Sequence, residues 1–360
     1  MLYNRLRIQT VDKLLFPAYP EGQIPFIRKW QAYPFQITPV QKAHFDAPLY
    51  QYMEMWDHWP QEEYIIHFKE PCIIEPKHGW AIVQPNRLVY PSLGMSHALH
   101  QPKPDFIKML AHQPLKEFEC VVSLRDTGEE NYFHFYNDVL AKLLLLEEHL
   151  KLDRKIPLIV SKKLWDKPFF HYFLNLPPLK DRNWIVQDNF YIKAKTAYFC
   201  KPLTHTKRYY DQILNWIPWV PEGNSLNRRI FLTRNPKRLR FIKNLTEIEN
   251  LCNKYDFEIV DADELSLSEQ VQLFAEARYV IGIHGAGLTN IIYRRGITLA
   301  VLEIFPPPTL GYLPFQYILM SALYGYRYDA VIGEEDNIKY SGGFILNSGK
   351  LESKIQKMIN

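Results

Sequence analysis

The strongest constraint on the fold is a regular alternation of strand-like and helix-like segments in the last third of the chain. Strand-like runs alternate with helix-like segments in the order RRIFLTR, LTEIENLCNKY, FEIVDAD, LSLSEQVQLFAEA, RYVIGIHGAG, LTNIIYR and TLAVLEIFP. Strands that alternate with helices of about 10–15 residues are typical of parallel βαβ units. We therefore predict an α/β domain over residues 206–345 and a C-terminal helix over residues 346–360.

A second α/β block precedes this one. ECVVSLRD and KIPLIVSK are strand-like, and NYFHFYNDVLAKLLLLEEHLK between them has the apolar stripe of a long helix. Upstream, short β-prone runs over residues 60–90 predict a small β-meander, and the residues before it predict irregular structure with short strands. We expect a first domain over residues 1–205, so that two doubly wound, Rossmann-like domains of the α/β class face each other across a cleft.

Charge and cysteine content argue against several functions. The 360 residues carry a formal net charge of +4, and the four cysteines are far apart without CxxC spacing. These features do not favour nucleic-acid binding or a zinc site, and no run approaches the roughly 20 apolar residues of a membrane span. We expect a cytoplasmic protein. Aromatic and basic residues in the first 100 positions leave peripheral membrane association open, with core packing as the alternative.

The segment VIGIHGAGLTN, residues 280–290, joins a strand to a helix through a glycine-containing turn. Glycines allow a backbone to approach a phosphate closely, and the free N–H groups at a helix start attract anions. In open α/β sheets, ligands bind beyond the carboxyl ends of strands, where this turn is expected. A plain glycine turn without a ligand is the alternative. The dinucleotide pattern GxGxxG and the Walker loop are both absent from this segment.

A basic segment, RRIFLTRNPKRLRFIKN, includes Arg234 and Arg240 and has no acidic residue. Arginine is suited to phosphate oxygens, although a solvated basic loop is the commoner fate of such a run. Glu303 lies at the end of the strand TLAVLEIFP, where it could accept hydrogen bonds from a ribose or pair with an arginine. By contrast, the DAD motif at Asp261–Asp263, a metal-binding pattern in some sugar transferases, is here interpreted as a helix start.

His134 and Asp138 are four residues apart in the predicted helix NYFHFYND, so they share one face. Such a pair could act as the general base for an attacking hydroxyl, with either residue as the base and Asp138 favoured, because a carboxylate needs no particular tautomer. The alternative is structural: His134 orients the helix and Asp138 forms an ion pair.

With these segments in this order, the chain resembles glycosyltransferase family 61, the capsular-polysaccharide-type glycosyltransferases. The resemblance covers about residues 131–306 and is most specific from Leu265 to Asn290. It is carried by Asn131-Tyr132-Phe133-His134 with Asp138, by RRIFLTR ending in Arg234, by Arg240 and Asn244, by LSLSEQVQLFAEARYVIGIHGAGLTN and by TLAVLEIFP.

The resemblance implies a GT-B fold and a metal-independent, inverting transfer from a nucleotide sugar, usually UDP-linked, to a glycan or lipid-linked glycan in bacterial surface polysaccharide synthesis. It assigns donor binding to residues 206–345, with the acceptor-side motif at His134 and Asp138. Its donor-binding residues are Arg234, Arg240, His284, Gly285, Ala286, Gly287, Leu288, Thr289, Asn290 and Glu303. A non-catalytic nucleotide- or glycan-binding scaffold is the alternative, and the missing dinucleotide spacing argues against an oxidoreductase.

Overall fold

A computed structural model describes residues 16–18, 26–30, 61–83, 87–89, 115–218, 227–237, 240–307, 316–334 and 342–360. These residues form two compact α/β units, and the division between them falls between Thr204 and His205. Within the described ranges, no helix combines the length and apolarity needed to cross a bilayer.

The first unit contains a mixed sheet, whose described strands are β1 Phe16–Ala18, β2 Phe26–Trp30, β3 Gln61–Phe68, β4 Cys72–Ile74, β5 Ala81–Val83, β6 Arg87–Val89, β7 Leu115–Ser123, β8 Leu158–Ser161, β9 Trp184–Gln187 and β10 Tyr191–Lys201. Strands β10, β7, β8 and β9 are parallel and adjacent in that order. On its other edge, β10 pairs antiparallel with β4 along its first half and with β3 along its second half.

The helices of the first unit include a π-helical interruption. Helix α1 (Tyr132–His134) continues through the π-helical turn Phe135–Leu140 into α2 (Ala141–Leu150), and α3 (Lys162–Trp165) and α4 (Pro168–Leu174) follow β8. Leucines of α2 are buried, and its backbone contacts β10, where the Cys200 thiol donates to the Lys142 carbonyl. The predicted single helix over this segment is therefore present, but Phe135–Leu140 within it form a π-helical turn.

The second unit contains a sheet whose five described strands are all parallel: β11 Arg228–Leu232, β13 Glu258–Val260, β14 Ala277–Ile283, β15 Ala300–Phe305 and β16 Arg327–Ile332. Their spatial order is β13-β11-β14-β15-β16. A separate short parallel pair joins β12 (Phe241–Ile242) to β17 (Gly343–Phe344). Counted along the chain, the five-stranded order is 2-1-3-4-5, a doubly wound arrangement.

Helices cover both faces of this sheet. They are α5 Lys207–Trp216, α6 Leu245–Lys254, α7 Leu267–Glu276, α8 Gln316–Tyr324 and α9 Ser348–Ile359, with 3₁₀ helices at Ala262–Glu264 and Ala286–Arg294. Helices α6 and α9 share one apolar core with the sheet residues Phe231, Ile281 and Leu302. The 3₁₀ helix Ala286–Arg294 lies on the opposite face, with α5, α7 and α8 packed against it. This layering leaves the carboxyl ends of the strands between the two helix layers.

The α/β class predicted from the sequence is confirmed, and the strand and helix segments of the second unit agree closely. The helix α7, predicted within LSLSEQVQLFAEA, begins with a capping box, because Glu269 N–H donates to Ser266 Oγ and Ser266 N–H to Glu269 Oε2. The meander β4-β5-β6 is also present. The first unit departs from a Rossmann-like sheet because five of its nine described strand pairings are antiparallel. Most of the predicted irregular region before residue 60 lies outside the described residues.

Candidate functional site

The switch-point site lies in the second unit where the strand order reverses. The chain runs from β11 outward to β13 and then returns to β14 on the other side of β11. The loops after β11 and β14 therefore leave their strands in opposite directions, which opens a crevice at their carboxyl ends. Thr233 and Arg234 follow β11, and His284 to Gly287 follow β14. The topology thus brings together two segments that are 50 residues apart in the chain.

Arg234 contacts the glycine turn directly. Its Nη1 donates to the His284 carbonyl oxygen at 3.4 Å. A Cβ added at Gly285 would lie 2.7 Å from the same Nη1, so the guanidinium occupies the space that a side chain would need. Gly285 has φ 164°, an extended conformation open to any residue. The absence of a side chain at Gly285 thus leaves room for the Arg234 guanidinium where it lies, and the backbone conformation of the turn does not demand a glycine.

A cavity of about 100 Å³ adjoins this contact. Thr233, Arg234, Asp261, Asp263 and the half-exposed turn 285–287 line it. It is smaller than the roughly 300–1,000 Å³ of a typical ligand pocket, so it can hold only part of a nucleotide-sized molecule. The cationic side is Arg234 and the anionic side is the DAD segment.

The DAD segment has a local structural role. Asp261 Oδ1 accepts from Asp263 N–H at 3.1 Å and so caps the 3₁₀ helix Ala262–Glu264. Within the described ranges, no group of three or more His, Cys, Asp or Glu side chains is arranged to hold a metal ion. Helix initiation therefore accounts for the position of these aspartates.

Two other glycines of the segment serve internal packing. A Cβ at Gly282 would lie 2.7 Å from Leu288 Cδ2, and one at Gly287 would lie 3.0 Å from Leu232 Cδ2. Leu232 and Leu288 therefore pack where glycine leaves space. The glycines let the 3₁₀ helix lie close to the sheet. The sequence pattern alone does not distinguish this packing role from a role in letting the backbone approach a phosphate.

His284 and Glu303 form a buried pair on the side of the turn facing β15. Gly282 and Glu303 are register partners in β14 and β15, so His284, two residues further on, projects from the same face of the sheet. His284 Nδ1 lies 2.5 Å from Glu303 Oε1, and the Tyr328 hydroxyl donates to Glu303 Oε2 at 2.5 Å. Glu303 is 0% exposed. Both carboxylate oxygens of Glu303, the residue predicted to bind the ribose, are thus engaged by His284 and Tyr328.

The turn is further fixed by α8 and β15. The Tyr317 hydroxyl donates to the Gly285 carbonyl oxygen at 2.6 Å, and the His284 ring stacks on Phe305 with 5.3 Å between centroids. Burial raises the pKa of Tyr317, with opposing contributions from Thr289, Arg240 and Arg234.

The last three predicted donor contacts in the segment are buried. Leu288, Thr289 and Asn290 are all 0% exposed. Asn290 Nδ2 donates to Gln270 Oε1 at 2.8 Å, and Gln270 Nε2 donates to the Ala262 carbonyl at 2.7 Å. In this structure these side chains connect the turn to the loop that follows β13; their contact with a donor stays a prediction.

Arg240 is exposed and has φ 69°, in the left-handed region that non-glycine residues seldom adopt. Its N–H donates to the Gly342 carbonyl at 2.6 Å, which ties the loop after β11 to the segment before β17. Five other non-glycine residues of the described ranges also have a positive φ, so this conformation alone does not mark a functional site, and the role of the Arg240 side chain in donor binding stays a prediction.

The His134 site lies in the first unit, at the junction of α1 and the π-helical turn. His134 Nδ1 lies 2.7 Å from Asp138 Oδ2, and Asn137 Nδ2 donates to Asp138 Oδ1 at 3.0 Å. The His134 side chain is 35% exposed and that of Asp138 only 12%. Both oxygens of Asp138 thus face internal partners, and the histidine is the more accessible member of the pair.

Local backbone features explain this geometry. Asn131 Oδ1 accepts from Phe133 N–H and starts α1. Gly128 has φ 80°, and a Cβ there would lie 3.3 Å from the His134 ring. The π-helical turn contains one more residue per turn than an α-helix, a feature frequent at functional sites. The spacing predicted a shared face, and the structure confirms that His134 and Asp138 are in contact.

The electrostatic surroundings favour protonation of His134. Burial lowers the pKa of His134, but the hydrogen bond and charge of Asp138, together with Asp126 and Glu130, outweigh it and raise the pKa above 6.5. Because a carboxylate accepts from Nδ1–H, Nε2 is the ring nitrogen that gains or loses a proton.

A buried charged network beneath this pair was not predicted from the sequence. Lys142 Nζ lies 2.7 Å from Asp126 Oδ2 and donates to the Arg125 carbonyl at 2.7 Å. Arg125 Nε donates to Glu129 Oε1 at 2.7 Å, and Nη1 donates to Gln187 Oε1. Burial, opposed by Lys142, raises the pKa of Asp126 to about 6. The signal available in the sequence was the charged run RDTGEE after a buried strand, together with a lysine inside a leucine-rich helix.

Comparison with known proteins supports one family. Residues 132–301, just under half of the chain, match the family model described as Glycosyltransferase 61. The matched segment begins in α1, contains His134, Asp138, Arg234, Arg240 and the His284 turn, and ends two residues before Glu303. A search of curated proteins found no match to the chain. The His134–Asp138 pair and the contact of Arg234 with the His284 turn thus both lie within a segment that is similar to glycosyltransferase family 61.

Proposed function

We propose that this protein is an inverting, metal-independent glycosyltransferase of family 61 that moves a sugar from a UDP-linked donor to a hydroxyl of a glycan or lipid-linked glycan. The observation that carries the proposal is the contact of Arg234 with the His284–Gly287 turn at the switch point, inside the family-matched segment. A guanidinium group beside a glycine turn at the carboxyl ends of parallel strands is suited to binding a diphosphate.

In this proposal the second unit binds the donor. Arg234 holds the diphosphate, Arg240 closes on it from the exposed loop, and N–H groups at the start of the 3₁₀ helix Ala286–Arg294 complete the anion site. Asp261 and Asp263 also line this cavity, and repulsion between like charges favours placing the phosphates next to Arg234. These contacts would stabilise the charge that develops on the leaving diphosphate.

The first unit supplies the base. We assign this role to His134, because Asp138 is the less exposed residue and has both oxygens engaged. His134 Nε2 takes the proton of the acceptor hydroxyl while the hydroxyl oxygen attacks C1 of the sugar. The bond from C1 to the diphosphate oxygen breaks, the diphosphate leaves with the electron pair, and the anomeric centre inverts. Asp138 keeps the proton on Nδ1 and stabilises the imidazolium.

We also propose an arrangement of the two units and a cellular location for the enzyme. A GT-B fold, with the donor on residues 206–345 and the acceptor on residues 1–205, accords with two α/β units divided near residue 205. A cytoplasmic enzyme of bacterial surface polysaccharide synthesis, working at the inner face of a membrane, accords with the family resemblance of residues 132–301.

A donor screen tests this function. The full chain is incubated with UDP, UDP-sugars, other nucleotide sugars and NAD(P)H, and the thermal midpoint of unfolding is measured. We expect stabilisation by UDP or a UDP-sugar and none by NAD(P)H, since only a ligand that binds the folded state raises the midpoint. Stabilisation by NAD(P)H alone would favour an oxidoreductase. Binding of a UDP-sugar without hydrolysis or transfer to any glycan acceptor would favour a non-catalytic scaffold.

A further inference from the structure

The strongest unexplained feature is the chain of buried polar contacts from Tyr328 through Glu303 to His284. The Tyr328 hydroxyl and His284 Nδ1 occupy the two carboxylate oxygens, each at 2.5 Å. Tyr328 is on β16, Glu303 on β15 and His284 just beyond β14, so three neighbouring strands contribute one residue each. A buried carboxylate is costly unless its oxygens are paired, and these two partners are the ones found within the described ranges.

This arrangement argues against direct contact between Glu303 and a ligand. Its side chain is 0% exposed, and a ribose diol could reach it only after displacing His284 or Tyr328. Burial raises the pKa of the Tyr328 hydroxyl well above 10, with the charge of Glu303 acting in the same direction. Tyr328 therefore stays protonated and continues to donate its hydrogen bond.

We propose that Glu303 and Tyr328 are positioning residues for His284. Tyr328 holds the Glu303 carboxylate, and the carboxylate holds a proton on His284 Nδ1. The stack on Phe305 fixes the plane of the ring. Nε2, which makes no hydrogen bond within the described ranges, is then the nitrogen offered to the leaving diphosphate of the donor. This role for His284 rests on the proposed function, whereas the positioning of its ring does not.

Spectroscopy on the ligand-free protein tests the positioning by itself. The ring nitrogens of the 12 histidines are observed in a long-range ¹H–¹⁵N NMR spectrum of labelled full-length protein, and His284→Gln identifies the His284 signals. We expect a protonated Nδ1 in the wild type. Tyr328→Phe should shift the His284 ring signals, and Glu303→Gln should change which nitrogen is protonated. Unchanged His284 signals in both variants would overturn the proposal.

Binding supplies the second measurement. Calorimetric titration with UDP should show a roughly five- to tenfold higher Kd for Tyr328→Phe, because the carboxylate that orients His284 loses one of its two partners and the ring is held less firmly. The matched control is Tyr326→Phe. It also removes a buried hydroxyl, but one that contacts the backbone at Ile291 and Gly296, and it should bind UDP within twofold of wild type.

The two measurements separate the possible failures. Equal UDP affinity for Tyr328→Phe and wild type would contradict the role of the Tyr328–Glu303–His284 contacts in UDP binding. If Glu303→Gln does not fold, Tyr328→Phe keeps the test intact, because it retains the buried carboxylate. Failure of the wild type to bind UDP would contradict the proposed function, and the NMR spectra of the free protein would still decide whether Glu303 positions His284.

Discussion

At the scale of single residues, the pH profile distinguishes His134 from Asp138 as the base. In the proposed reaction His134 acts unprotonated, so kcat/KM should rise with pH through the pKa of His134, which Asp138 holds above 6.5. Asp138→Asn removes the raising hydrogen bond and charge, so the rise should move to lower pH. The maximal rate should also fall about 10²-fold or more, because the ring loses its orienting partner.

The matched controls for this prediction lie in the same unit. His134→Gln should abolish the pH-dependent rise, whereas His171→Gln, which alters an exposed histidine of α4, should leave the profile unchanged. An active His134→Gln enzyme together with an inactive Asp138→Asn enzyme would contradict this assignment and make Asp138 the base.

At the scale of elements, the loop before α1 depends on the Lys142–Asp126 pair. The two side chains are 1% and 3% exposed, so removing one charge leaves the other buried without its ionic partner. Lys142→Met should destabilise the first unit by about 3–5 kcal/mol, measured by urea unfolding. Lys162→Met breaks an ion pair whose side chains are 47% and 53% exposed, and it should cost at most about 1 kcal/mol. Equal losses would contradict a structural role for the buried pair.

The helices and strands differ in how far they could be predicted from the sequence. Strands such as β14 and β15 are predicted because short apolar runs end at clear breaks, and α7 because LSLSEQVQLFAEA has the pattern of an amphipathic helix. The π-helical turn was not predicted, since six residues cannot distinguish its period from that of an α-helix. The antiparallel partners of β10 were not predicted, because pairing between residues 64 and 201 leaves no local pattern.

In the candidate sites, too, contacts between residues close in sequence could be predicted, whereas contacts between distant residues could not. His134 and Asp138 are near neighbours in sequence, and their contact could be predicted from spacing. The contact of Arg234 with the His284 turn needed the order of the strands. The Tyr328 partner of Glu303 was not predicted, because a tyrosine on a buried strand usually signals core packing.

At the scale of the whole molecule, the central claim is that the switch point of the second unit binds a nucleoside diphosphate. Arg234 is the residue on which the claim depends most, because it is the cation in contact with the glycine turn. Arg278 provides a matched control. It is an exposed arginine near the amino end of β14, whereas Arg234 lies beyond the carboxyl ends of the strands of the same sheet. Replacing either by alanine removes the same charge from the unit.

Calorimetric titration of UDP into the wild type, Arg234→Ala and Arg278→Ala tests this claim most directly. We predict that the wild type binds, that Arg234→Ala raises the Kd at least tenfold, as expected for loss of a charge-assisted contact, and that Arg278→Ala binds like the wild type. Absence of binding by the wild type, or equal affinities for Arg234→Ala and Arg278→Ala, would contradict the account.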